Sequence, residues 1–553
     1  MNMRRTVCMA AVLLTAGVLI GNAFGQTSET YSRDQLIRDA RQLLETIELT
    51  HPDPYINGGG RIAFHQRFQE VLRAIPASGM TQAEFYHLLL PCVAAIGDSH
   101  TGIRMEGAGH EAGPGLPLGF RIIETDFIVG AVPDRQHEHL LGARLQSVAG
   151  ISFGELVKRQ GGLRGAENNY GRLAFLTRSL ISKQGLIDLI PEWTDRASIE
   201  SAFVLPDGKV VTATFPCPYA ESSEPITPTT RQEIPSTASS DVAFEFVDAN
   251  KQTGVLVIRS LMRYREAFES MFADGMTEAI AYAHEAYRHF HDSDPPADSA
   301  VLLTAIPSAT ETLAAMIEAM SAAGTPNLIV DLRDNTGGNS LLREMLIYTL
   351  FGTEGLMSMR RSYSVPRLSD LYFATYSNDS LTKHEEDGEL SLVVGDYDFG
   401  EQRGVADEER DRATRLSEFE ETFAKMPTFW EFYQTGSRHQ PAYKPRRIVV
   451  VCTPLTFSSG FNVLTALNDQ GATVVGTPPG QPGNNFGDVL MYKLNETGIQ
   501  GFVSYKQVVT YPDDPEKGRC LIPDVVLTYD KLRSYGFDPN AEVLLALEVL
   551  GGR

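Results

Sequence analysis

An α/β fold built on parallel strands is predicted by a unit that recurs in the second half of the chain. Leu328-Ile329-Val330-Asp331-Leu332 is a continuous apolar run, followed by a glycine-containing loop and a helix from about Ser340. Arg447 to Cys452 repeats the scheme, with a helix from Ser459 to Asp469 and a further strand at Thr473-Val474-Val475. Uninterrupted apolar strands indicate burial on both faces, and strand–loop–helix–strand connections join parallel neighbours. Val255 to Leu261 is a further apolar strand.

The chain has 553 residues, more than one compact core accommodates, so two or three domains are expected. Residues 1–25 read as an export signal: Arg4 and Arg5, a short apolar run from Ala10 to Ile20, then Ala23-Phe24-Gly25 with small residues at the cleavage positions. The run is too short to span a bilayer, so the mature form is expected to have no membrane span and to be periplasmic or secreted. Residues 26–110 form a helical region. Leu36, Ala40, Leu43 and Ile47 recur at helical spacing, and Thr81 with Glu84 has the form of a capping box opening a second helix. Residues 111–217 carry short strands such as Phe120-Arg121-Ile122 and Phe127-Ile128-Val129. Residues 218–245 are a Pro/Ser/Thr-rich linker, and 246–553 hold the α/β core with a polar, charge-rich insertion at about 355–440.

Composition excludes some classes. Hydrophobic residues make up 42% and charged residues 21%, which argues against disorder. A formal charge of −22 disfavours nucleic acid and anionic membranes as partners. Cys8 leaves with the signal, and Cys92, Cys217, Cys452 and Cys520 match no zinc spacing. In His284-Glu285 with His289 the second histidine falls five residues on, off the face that a zinc helix needs. The glycine-rich stretch 476–487 lacks the Lys-Ser/Thr of a phosphate loop. No metal and no cofactor is expected.

Three segments carry chemistry: Gly97-Asp98-Ser99-His100-Thr101, Asp331 to Gly338, and Thr456-Phe457-Ser458-Ser459-Gly460. A serine between a strand and a helix can stand above the sheet edge, with the helix N-terminus favouring an oxyanion behind it. The Gly337-Gly338 pair lets backbone approach substrate and aim an N–H at a developing negative oxygen. A serine hydroxyl needs a base to take its proton, and His100 is the candidate. Each segment also has a plain reading, as a helix cap, a turn or an Asx cap, and none of them alone marks a site.

Taken together and in this order, the segments resemble the signatures of the tail-specific, or C-terminal processing, serine peptidase family. Ile329 to Gly338 is similar to its apolar strand ending in Asp-Leu-Arg-x-Asn-x-Gly-Gly. Leu521-Ile522-Pro523-Asp524-Val525 resembles its late Ile-x-Pro-Asp strand. His51-Pro52-Asp53-Pro54-Tyr55 resembles the early His-Pro-x-x-Tyr of exported members, and Leu145 to Glu155 a PDZ-like module. The resemblance implies a crotonase/ClpP-like αββ catalytic core, a PDZ-like subdomain at 111–217, and a peptide or protein substrate.

The family's Ser–Lys branch places its lysine about 25 residues after the serine, and no lysine lies between Lys444 and Lys493. Ser99-His100 instead fits the tricorn-like branch with its Ser-His-Ser-Glu tetrad. The likeness implies Ser458 as nucleophile, His100 as base, Ser99 orienting the imidazole, and Glu516 holding Ser99, with Asp513 and Asp514 as competitors. The oxyanion donors would be the N–H of Ser459 and one from Gly337 or Gly338. Phe461 stands where the family commonly has an acid, which keeps Ser459 as an alternative nucleophile. A catalytically silent relative that binds peptides or hydrophobic ligands, and an esterase on the same scaffold, are the rival readings.

Overall fold

The structure, a computed structural model, describes residues 30–551 except 106–112, 194–196, 218–223, 277–278, 361, 376–391, 405–407, 437–440 and 442. The expected export signal lies outside the described residues. A six-stranded sheet forms the centre, in the order Val242–Phe246, Thr253–Ile258, Asn327–Asp331, Arg447–Cys452, Thr473–Gly476 and Val525–Val526. The first pair is antiparallel and the others are parallel, with Val330 facing Leu256 on one side and Val450 on the other.

The apolar runs are continuous because both faces are covered. Leu256, Leu328, Val330, Val450 and Val474 share a core with helices Ala309–Ala323, Leu341–Ser358 and Ser459–Asp469. The alternate residues Val255, Ile329, Val449 and Val475 pack with the C-terminal helix Ala541–Gly551. Each fully buried valine or leucine contributes roughly 1.5–3 kcal/mol, so this double layer makes a rigid floor for whatever its loops carry.

Two other units flank the sheet. Strands Gly119–Ile123, Asp126–Ala131, Arg144–Val148, Ser198–Val204 and Val210–Pro216 form an antiparallel sheet with its own core, covered by helices Phe153–Leu163, Asn169–Ile181 and Lys183–Leu189. The N-terminal unit holds helices Arg33–Thr50, Gly60–Ala74 and Gln82–Ala94. The last of these opens with the capping box formed by Thr81 and Glu84.

Two features depart from the sequence expectation. A long hairpin, Asn484–Lys493 with Gln500–Val509, begins inside the glycine-rich stretch 476–487 and continues through residues for which no element was expected, and Gly102–Arg104 pairs onto its second strand. The segment 355–440 is in part built into the body rather than inserted. Tyr363–Pro366 pairs with Gln500–Val509, and Phe423, Met426, Phe429 and Tyr433 lie in the same core as Val330. Its charges had masked an apolar face.

Candidate active site

The turn that carries Ser458, the candidate nucleophile, joins strand Arg447–Cys452 to helix Ser459–Asp469. Ser458 occupies φ +53° and ψ −127°, a conformation that costs a non-glycine residue about 1–3 kcal/mol. The surroundings hold it there. Thr456 Oγ1 donates to Leu332 O at 2.7 Å, Phe457 N–H to Asn335 O at 2.9 Å, and Ser458 N–H to the Gln481 side-chain carbonyl at 2.6 Å. Ser458 is 8% exposed, and its hydroxyl has no partner among the described hydrogen bonds. Glycine at 458 tolerates the same φ without strain. Ser458→Gly should therefore melt at a higher temperature than Ser458→Ala, by about 1 kcal/mol in stability, as checked by calorimetry of the two variants.

Ser459 is differently placed. Its hydroxyl donates to Gly338 O at 2.6 Å and lies 2.8 Å from Ser340 Oγ, so it is tied to backbone rather than free to attack. Phe461 is buried in the main core, which accounts for an apolar residue where the family commonly has an acid.

The Asp331–Gly338 segment supplies the opposite wall. Asn335 is fully buried, donating through Nδ2 to Ile258 O and accepting through Oδ1 from Gly337 N–H, both at 2.9 Å. This overturns Gly337 as an oxyanion donor, because its N–H is already engaged. Its role is steric: a Cβ there would stand 2.5 Å from Ser458 Cβ, and its φ is +100°. Gly338 is the available donor. Gly337 O and Asn339 N–H both bond to Leu261, so the N–H of Gly338 between them points the other way and bonds to no described acceptor. The N–H of Ser459, at the helix start, is likewise unused among the described bonds.

His100 lies on the turn between helix Gln82–Ala94 and strand Gly102–Arg104, entered through Gly97 at φ +72°. Its imidazole stacks on Phe457, the residue before Ser458, with ring centroids 4.9 Å apart. Asp98 anchors the turn. Its Oδ1 accepts from His100 N–H at 2.8 Å, and its Oδ2 from Thr101, Ser504 and the His51 ring at 2.6, 2.7 and 3.2 Å. His51 Nδ1 accepts from Asp53 N–H at 3.0 Å, so the proton facing Asp98 is on Nε2. Burial pushes the Asp98 carboxyl up, but its interactions with the His51 ring, His100 and Thr101 outweigh this and hold it at about 2. Burial lowers the His100 pKa, opposed by the charges of Asp98 and Asp488, which keeps a neutral imidazole available as a base.

The acid beside Ser99 is Glu167, not Glu516. Ser99 Oγ donates to Glu167 Oε2 at 2.6 Å, and Ser99 N–H reaches the same oxygen at 3.2 Å. Glu516 sits on the short helix Pro515–Arg519 with its side chain 84% exposed and 3.7 Å from Arg519. Asp514 caps that helix, and Asp513 is exposed beside it. Glu167 comes from the loop between helices Phe153–Leu163 and Asn169–Ile181, and Gly165 lets this loop close on the His100 turn. A Cβ at Gly165 would lie 2.8 Å from Asp98 O. Arg164 holds the turn from the same side, donating to Ser99 O at 3.1 Å while stacked 4.4 Å above Phe175.

Burial, with the nearby Asp98 charge, pushes the Glu167 carboxyl up to about 8. Ser99 spends its proton on Glu167 and does not meet the imidazole. His100 Nδ1 and Glu167 Oε1 are both buried without partners, and ligand-type atoms of Asp98, His100 and Glu167 lie within 4.8 Å of one another. This is the one such cluster among the described residues. Asp98 already accepts four hydrogen bonds, so the group fits proton handling better than a cation. The four remaining cysteines are free thiols.

Residues 299–500 match the model of peptidase family S41, a span that includes Gly337, Gly338, Ser458 and Gln481 but not His100 or Glu167. No curated protein sequence matches the chain. Among solved structures, mature CPAF complexed with lactacystin is similar at 14% identity and a TM-score of 0.57, over 94% of this chain and 99% of that one. Mature CPAF alone gives the same values. The photosystem II D1 C-terminal processing protease is similar at 14% identity over 90% of this chain and 93% of that one, with a TM-score of 0.36.

Proposed function

We propose that the chain is a serine-type peptidase in which Ser458 and His100 carry out hydrolysis, on the strength of the match of residues 299–500 to the model of peptidase family S41. Ser458 Oγ attacks the scissile carbonyl carbon while His100 removes its proton. The carbonyl oxygen becomes an oxyanion facing the N–H groups of Gly338 and Ser459. Collapse breaks the C–N bond, His100 returns the proton to the leaving amine, and water then releases the acyl group by the same path. Glu167, positioned by Ser99, faces the imidazolium and in its ionised form stabilises that charge. The observation that carries this reading is the stacking of the His100 ring on Phe457, which sets a buried base beside the nucleophile turn.

The test is mass spectrometry of a mixed peptide pool, with small acyl esters assayed alongside. New peptide termini that appear with the wild type and not with Ser458→Ala are the expected result. Cleavage of esters alone would favour an esterase, and no turnover of either would favour a silent binding protein. The reading extends to export, which rests on Arg4, Arg5 and the Ala10–Ile20 run. The exported protein, periplasmic or secreted, should begin at Gln26.

A further inference from the structure

Gln481 is buried, 5% exposed, at the position near which the Ser–Lys branch carries its lysine. Its Oε1 accepts the Ser458 N–H at 2.6 Å. Only a carbonyl oxygen can meet that donor, so the amide cannot be flipped and Nε2 is fixed as the outward group. Nε2 donates to nothing among the described residues. The loop around it is clamped: Gly480 N–H donates to Pro454 O at 3.1 Å, and Asn485 Nδ2 to Pro482 O at 2.9 Å. A Cβ at Gly480 would lie 3.0 Å from Gly171 Cα, so this loop is also wedged against the helix that follows Glu167.

The Ser458 N–H, an obvious oxyanion donor, is therefore consumed by Gln481. The same amide carries two hydrogens on Nε2, about one amide width from the oxygen that accepts the Ser458 N–H. We propose that Gln481 is a further catalytic residue, whose Nε2 donates a hydrogen bond to the oxyanion alongside the N–H groups of Gly338 and Ser459. In that role a fixed side-chain amide donor would be worth about 10²–10³-fold in kcat. The inference rests on Ser458 being the nucleophile.

The variant that separates the two ends of the amide is Gln481→Glu, which keeps an acceptor for Ser458 N–H and loses the donors. Its kcat on a cleaved peptide should fall by about 10²–10³-fold with KM within about threefold. The inhibition constant of a peptide aldehyde, which forms a hemiacetal with the serine, should rise by the same factor as kcat/KM falls. Wild-type kcat in Gln481→Glu would overturn the proposal and leave Gln481 a positioning residue only. Should that variant not fold, a crystal structure of the wild type with the aldehyde decides: its oxygen is expected at about 2.7–3.1 Å from Nε2. Separation beyond hydrogen-bond reach overturns the proposal. If Ser458→Ala is as active as the wild type, the nucleophile assignment itself fails, and this inference falls with it.

Discussion

Replacing Ser458 with alanine should lower peptide turnover by about 10⁶-fold and leave the melting curve nearly in place. The loss is large because no neighbouring hydroxyl can substitute. Ser459 spends its proton on Gly338 O, and its oxygen is shared with Ser340. The fold persists because Ser458 contributes no side-chain hydrogen bond to it, and alanine inherits the same φ. The check is a pair of measurements, kcat on a fluorogenic peptide and a thermal melt, made on the same preparation. Retained turnover removes Ser458 from the mechanism.

The second large effect concerns Glu167. Above about pH 8, where the Glu167 carboxylate is ionised, Glu167→Gln should cost about 10²–10⁴-fold in kcat, while Glu516→Gln should change it less than twofold. The pH profile gives the sign. Below about 8 Glu167 holds its proton and offers no negative charge to an imidazolium. Above that value the carboxylate is ionised and faces His100, whose own lowered pKa keeps it neutral over this range. The kcat/KM should therefore climb as pH rises through about 8 in the wild type. That limb should be missing in Glu167→Gln. A flat profile shared by both proteins would place Glu167 outside proton transfer.

The difference between Glu516 and Glu167 shows what a sequence can and cannot carry. The central sheet was legible because Leu328–Leu332 and Arg447–Cys452 are buried on both faces, a pattern visible in the residues themselves. Ser458 and His100 could be singled out as candidates because each sits in a short segment whose glycines and polar residues are local necessities. Glu167 lies 67 residues after His100, on a loop of a different unit, and no local pattern demands an acid there. Its only signal was Gly165 in Arg164-Gly165-Ala166-Glu167, a glycine whose need becomes evident once Asp98 is packed against it. His51 was visible as a motif without a role, and its role is to hold Asp98. The hairpin Asn484–Val509 was missed because its first strand opens with Asn484-Asn485-Phe486-Gly487 and reads as a turn until its partner is known. Gln481 is illegible for a related reason: no local pattern demands an amide there, and its place is evident only once the Ser458 N–H is packed against it.

The most direct test of the account is the site and rate of labelling by a fluorophosphonate, which reacts only with an activated serine. Peptide mapping should place a single adduct on Ser458 in the wild type, with labelling slowed by at least about 10³-fold in His100→Ala. An adduct on Ser459, or labelling of Ser458 that does not depend on His100, would contradict it.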